Sequence, residues 1–193
     1  MKTVTMFMLL SGQRPQILKF LSLQNMEKKR NKFTFTVTQN LKHSREKTPA
    51  TVVQLQAYPG DKRICIVNYL NAYLSRTEKL RNTQCLFITS TAPYEAATLA
   101  TMSRWIKTTL ELAGIDTTVF SPGSTRAASA NAAQRAGVPI QTILSKAAWQ
   151  NETTFNKWYK KPIVKVTQGQ YQQAIQGQNK VKDSVESKKR PRH

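Results

Sequence analysis

Residues 3–10 (TVTMFMLL) are mostly apolar, and after a turn-like SGQRP apolar residues recur at 17, 18, 20, 21 and 23, at helical spacing. The chain is therefore predicted to begin with two helical pieces joined at Arg14. FTFTVT at 33–38 alternates strictly and TVVQLQAY from Thr51 alternates again, the period of half-buried strands. NLKHSREKTPA between them carries turn chemistry, so a hairpin with a very basic connection is expected. Residues 64–80 place apolar side chains at 64, 66, 67, 70, 73 and 74, one face of a helix. QCLFITS at 84–90 reads as a short strand. APYEAATLATMSRWIKTTLELAGI carries apolar residues at 99, 102, 105, 106, 110 and 112, and Gly114 falls where a helix C-cap belongs. RAASANAAQRAG is a small-residue helix ended by Gly137, and VPIQTILSKAAW and ETTFNKWYKKPI are two more helices by period. No internal repeat is visible.

The 193 residues suit one domain, and 39% hydrophobic residues are enough for a packed core over most of that length. The fold expected from the pattern is mixed α/β, mainly helical with a small antiparallel sheet. Charge narrows the partners: 30 Lys and Arg oppose 10 Asp and Glu, a net +20. Such a surface favours polyanions, with nucleic acid first, an anionic membrane face second and acidic proteins third. From Val164 the composition turns to Gln, Lys and Ser and ends in KKRPR. Seven Lys and Arg against Asp183 and Glu186 give this tail +5 and leave +15 on residues 1–163. The expected organisation is a folded 1–163 and a largely disordered 164–193, whose basic end is either a solvated terminus or a nuclear-localisation or DNA-clamping segment. Cys65 and Cys85 lie in separate apolar runs, which argues against a disulfide framework or a cysteine zinc site. MKTVTMFMLL meets Gly12, Gln13, Arg14 and Pro15 without a small-residue cleavage pattern, so it reads as a buried helix and not a leader.

Several chemistries find no support. His43 and His193 have no partner at ligand spacing, which disfavours a histidine metal site or hydrolytic triad. Neither GxGxxG nor GxxxxGK[ST] occurs, and Glu95, Glu111, Asp116 and Glu152 are too scattered for a two-metal nuclease. Arginine, lysine and tyrosine remain. A tyrosine oxygen can attack a phosphodiester if guanidinium groups bind the nonbridging oxygens and neutralise the charge that grows in the transition state.

SPGSTRAASANAAQRAGVPIQTILSKAAWQNETTFNKWYKKPI resembles the signature region of the tyrosine recombinases, the phage-integrase family, and particularly those of tyrosine-recombinase retrotransposons and their genomic relatives. LLSGQRPQILKFLSL resembles the family's first-arginine segment, LKHSREK its lysine-bearing hairpin and MSRWIKTTLELAGID its DNA-facing helix, so the likeness runs in order over residues 4–163. It implies the recombinase catalytic-domain fold, double-stranded DNA as partner, no membrane partner, and no metal, nucleotide or other cofactor. By this resemblance Arg14 and Arg126 would grip the scissile phosphate, whose two oxygens fit the planar fork of guanidinium. Lys42 would protonate the leaving 5′ oxygen, Trp149 would donate its ring N–H to the phosphate, and Tyr159 would form a 3′-phosphotyrosyl bond. Arg45, Lys47, Arg104, Lys107 and Ser124 are the expected flanking DNA contacts.

The departures from the family are part of the reading. Gly123 stands where the family has histidine, a general acid–base group of the kind worth roughly 10²- to 10⁴-fold. The acidic residue after the first arginine is replaced by Gln16 and Ile17, and the helical domain that closes a clamp on DNA is expected to be absent from this chain. The resemblance implies a DNA strand transferase, impaired by the glycine and tetrameric on DNA. YQQAI around Tyr171 is then a candidate docking piece. The nucleus is the expected location in a eukaryote and the cytoplasm otherwise. The competing readings are a catalytically degenerate DNA-binding protein derived from a mobile-element recombinase and, more weakly, a surface for RNA or membrane.

Overall fold

The opening apolar run becomes α1, Lys2–Ser11, which buries Val4, Phe7 and Met8, an i, i+3, i+4 set. It stops at Gly12, where φ is 63° and the backbone N–H caps the Met8 carbonyl. Arg14 is extended (φ −74°, ψ 146°) and Pro15 opens a 3-10 turn, Pro15–Phe20. The second helical piece is therefore tighter and shorter than its apolar spacing suggests. Leu21 leaves the turn in an extended conformation, and Leu21 and Leu23 then bond to the 84–86 segment instead of continuing a helix.

The computed structural model describes residues 1–38, 50–147, 149 and 152–158, all within one unit, Met1–Lys160. Three strands, β1 (Met26–Lys29), β2 (Lys32–Val37) and β3 (Thr51–Gln56), form an antiparallel sheet in that order. The expected hairpin is β2 with β3, in a register pairing Phe33 with Leu55, Phe35 with Val53 and Val37 with Thr51. Alternation works as it should, for Phe33, Phe35, Val37, Val53 and Leu55 line the buried face. The hydrophobic pattern does not predict β1. MEKK has no apolar alternation and joins β2 through Arg30 and Asn31, without the glycine that marks most two-residue hairpin turns.

α2 (Ile66–Thr77) buries Ile66, Val67 and Leu70. α3 (Leu99–Leu112) buries Met102, Ile106 and Leu110, starts at Thr98, whose side chain accepts from the Thr101 N–H, and is followed by Gly114 at φ 74°. Residues 84–90 correct the strand expectation: they form two isolated bridges, Cys85 with Ser22 and Ile88 with Ala96, and belong to no sheet. Their backbone is shared between two neighbours, with Leu23 N–H to the Gln84 carbonyl and Leu86 N–H to Leu21 on one side, and Thr89 N–H to Glu95 and Ala97 N–H to Phe87 on the other. Leu86, Phe87 and Ile88 are all buried, so an apolar run here marks a segment covered on both sides and not a ladder. α4 (Ser124–Arg135), α5 (Ile140–Lys146) and α6 (Glu152–Trp158) complete the described chain.

Packing divides into two clusters. The larger surrounds Phe7, which is fully buried with its ring edge-on to Phe35 at 5.7 Å and to Phe87 at 6.3 Å. The smaller gathers Ala130, Ile143, Leu144 and Phe155 from the last three helices with Ala147 and Trp149 from the connection between α5 and α6. α1 joins them, since it packs on α2 and α3 and also on α4. The expected class, mainly helical with a small antiparallel sheet, is the one observed.

Candidate active site

Arg126 is the third residue of α4, whose start is fixed by a tight turn. Ser124 N–H donates to the Ser121 carbonyl (2.8 Å), the Thr125 hydroxyl to Pro122 (2.8 Å) and Arg126 N–H to Gly123 (3.3 Å). The rest of α4 is rich in alanine and serine, which lets neighbours approach closely. The side chain of Arg126 consequently points into the protein and is only 3% exposed. Its guanidinium carbon lies 4.4 Å from the centroid of the Trp149 ring, itself 6% exposed. Trp149 is braced in turn by Phe155 of α6, ring centroids 5.3 Å apart, and by its backbone N–H donating to the Leu144 carbonyl at 2.9 Å. A guanidinium over an indole face is a favourable cation–π pair, strongest where water is excluded. The geometry fixes one cation in a low-dielectric seat, where it interacts with an approaching anion more strongly than a solvated lysine would.

The segment bearing Arg14 is tied to the same helices. Gly12 lies against α4, where a Cβ would make an ordinary contact with the Ser129 hydroxyl at 3.6 Å, and the Gln13 side-chain amide donates to the Lys146 carbonyl at the end of α5. Lys146 is three residues before Trp149, so the two arginine-bearing segments and the tryptophan hang on one α1–α4–α5 junction. Gly12 and Gln13 anchor the Arg14 segment to these helices, and the pattern of the sequence did not single them out. A glycine and a buried amide between two helical runs was the available signal.

The remaining candidate residues divide by location. Gly123 is the exposed N-cap of α4 at φ −68°, with only the Ser121 hydroxyl within reach of a Cβ, at 3.6 Å. Ser124, next to it, is half-buried. Arg104 and Lys107 are exposed one turn apart on α3, away from its buried positions, and Lys107 makes a surface ion pair with Glu111 at 3.8 Å. Such an exposed pair is worth under about 1 kcal/mol and yields readily to a phosphate. Lys42, Arg45, Lys47 and Tyr159 lie outside the described residues. Among the described residues no group of three or more His, Cys, Asp or Glu is placed to hold a metal, and no helix is long and apolar enough to cross a membrane.

No family model matches the chain, and no curated protein does. Solved structures do match, and the fold they share with this chain is that of tyrosine recombinase catalytic domains. XerA recombinase aligns with TM-score 0.64 and 16% identity over 99% of this chain and 57% of its own. XerH site-specific recombinase bound to its difH substrate, in a pre-cleavage complex, gives 0.63 and 13% over 92% and 45%. The post-cleavage complex of XerH with palindromic difH gives 0.62 and 13% over 91% and 44%. The chain spans about half the length of these structures.

Proposed function

We propose that this chain binds duplex DNA and cleaves and rejoins it by site-specific recombination, with Tyr159 as nucleophile and a 3′-phosphotyrosyl intermediate. The observation that carries the reading is the buried Arg126 guanidinium on the Trp149 ring, at the two positions the family resemblance assigns to phosphate recognition. A fixed guanidinium fork binds two nonbridging oxygens and needs no reorganisation as their charge grows. Arg14, on a segment anchored to the same helices, would supply the second fork. Lys42 would deliver the leaving-group proton from the β2–β3 connection. The recombinase fold supports this reading, as does the net +15 on residues 1–163.

The resemblance of residues 121–163 favours the retrotransposon branch of the family, hence a nuclear protein acting as a tetramer on DNA. The test uses suicide duplexes that lose the strand segment needed for religation. A covalent protein–DNA adduct is expected in the full chain and none in Tyr159→Phe, and an adduct surviving that change would sink the assignment.

A second reading, a degenerate DNA-binding protein, is favoured by Gly123, which leaves the family's imidazole position without a side chain. Gly123 has an ordinary helical φ and room for a Cβ, so Gly123→His is tolerated. A cleavage gain of about 10²-fold or more supports an otherwise intact site. Retained duplex binding with no adduct in either form supports the second reading.

A further inference from the structure

The strongest charge cluster among the described residues lies in none of the segments assigned above. Residues 27–32 (EKKRNK) carry four cations and one acid. Lys28, Lys29 and Arg30 are exposed and Lys32 is half-buried. The register sets Lys29 directly opposite Lys32 across the β1–β2 hairpin. Two like charges facing each other across strands repel and destabilise the pair.

Among the described residues relief comes from Glu27 alone. Its carboxylate holds the Lys29 ammonium at 2.9 Å, and its pKa is lowered first by the hydrogen bond from Lys29, then by the charge of that lysine, and further by that of Lys32. No other carboxylate among the described residues is within ion-pair distance of Lys28, Arg30 or Lys32. The Lys28 ammonium sits 5.9 Å from the Phe33 ring centroid. Beyond the turn, the side of the sheet opposite the buried one continues with Thr36, Val52, Gln54 and Gln56, none of which carries negative charge. A self-repelling cluster on a two-residue turn lowers the stability of the hairpin that carries it. An anionic partner removes that cost.

We propose that the β1–β2 turn is a second phosphate-binding surface, on which Lys29, Arg30 and Lys32 engage the sugar–phosphate backbone of duplex DNA away from the cleavage site. Five residue steps of β2 separate Lys32 from Val37, about 17 Å at the usual rise of a strand, so the β1–β2 turn lies at the end of β2 opposite its exit towards β3. Backbone interactions of this kind set position and orientation on the duplex and carry no sequence information. The inference rests on the duplex-DNA reading above.

The experiment measures binding of the full chain to a 30-base-pair duplex by fluorescence anisotropy over a salt series, with thermal melting of each variant in parallel. In Lys29→Gln/Arg30→Gln/Lys32→Gln the slope of log K against log salt should fall by about 1 to 3, at about 0.9 for each phosphate no longer neutralised, and affinity near 0.1 M salt should drop by about tenfold for each of them. The variant should melt no lower than the parent, because the Lys29 and Lys32 repulsion is gone. Glu27→Gln should do the reverse in both readouts, binding several-fold tighter and melting lower, a pairing that a purely structural turn does not produce. Unchanged slope and affinity in the triple variant, with the parent binding duplex, overturns the inference and leaves the DNA reading standing. So does a loss seen only with RNA or anionic vesicles. A parent that binds no duplex at all overturns both.

Discussion

The Arg126 and Trp149 pair permits a quantitative test independent of any activity. In Trp149→Leu the ring beneath the guanidinium disappears together with the packing on Phe155 at 5.3 Å. Losing a buried aromatic to a smaller apolar side chain costs about 2–4 kcal/mol. Arg126→Met keeps much of the stem and removes the charge. If the indole face holds the cation at 4.4 Å in a site this buried, the pair should couple by about 1–2 kcal/mol. Trp149→Leu is then less damaging in the Arg126→Met background, because no cation is left to lose its seat. With a urea m-value near 2 kcal/mol/M, the coupling moves the midpoint by about 0.5–1 M, well within the resolution of a denaturation curve. Four unfolding curves complete the cycle. Additivity within about 0.3 kcal/mol would mean that the ring and the guanidinium are neighbours without being partners, and that Trp149 does not seat the Arg126 cation. Strand cleavage offers a second readout, for an Arg126 that keeps its charge but loses its seat should cost about 10²-fold through misplacement alone.

Two further expectations concern stability. Gly12→Ala should destabilise by about 1–2 kcal/mol, because φ 63° is a left-handed conformation that a Cβ disfavours, and it should weaken duplex cleavage through the Gln13 to Lys146 bond; a denaturation midpoint equal to the parent's would contradict this. Burial raises the pKa of Tyr73 above its ordinary value, against the opposing pull of the Ile88 N–H bond and the charge of Arg81. A raised folded-state pKa means stability that is fully present below the unfolded value near 10 and is lost as pH climbs through the folded one. Absorbance titration at alkaline pH should show a tyrosine ionising later than the rest, coincident with unfolding and absent in Tyr73→Phe.

Most helices were legible because each turns one narrow apolar stripe inward. Positions 4, 7 and 8 of α1, 66, 67 and 70 of α2, and 102, 106 and 110 of α3 are at once the pattern and the core. The β2–β3 hairpin was legible for the same reason at period two. Where the rule failed, tertiary context supplied the missing term. MEKK forms a strand because β2 offers it an edge. The apolar run at 84–90 does not, because its hydrogen bonds are divided between two unrelated segments.

The candidate site has the same mixed character. Arg14, Arg126 and Trp149 were named through a family resemblance, which orders residues along a chain but contains no distances. Sequence alone determined the helical periods, the excess of positive charge and the scarcity of acids to neutralise it, since these are properties of local spacing and composition. Only the tertiary structure decided that Arg126 lies buried on the Trp149 ring, that Gly12 and Gln13 tie the first arginine's segment to that pair, and that Lys29 faces Lys32. Each of these depends on which backbone approaches which, and the register and helix packing that bring distant residues together are settled by the core as a whole and not by any one segment.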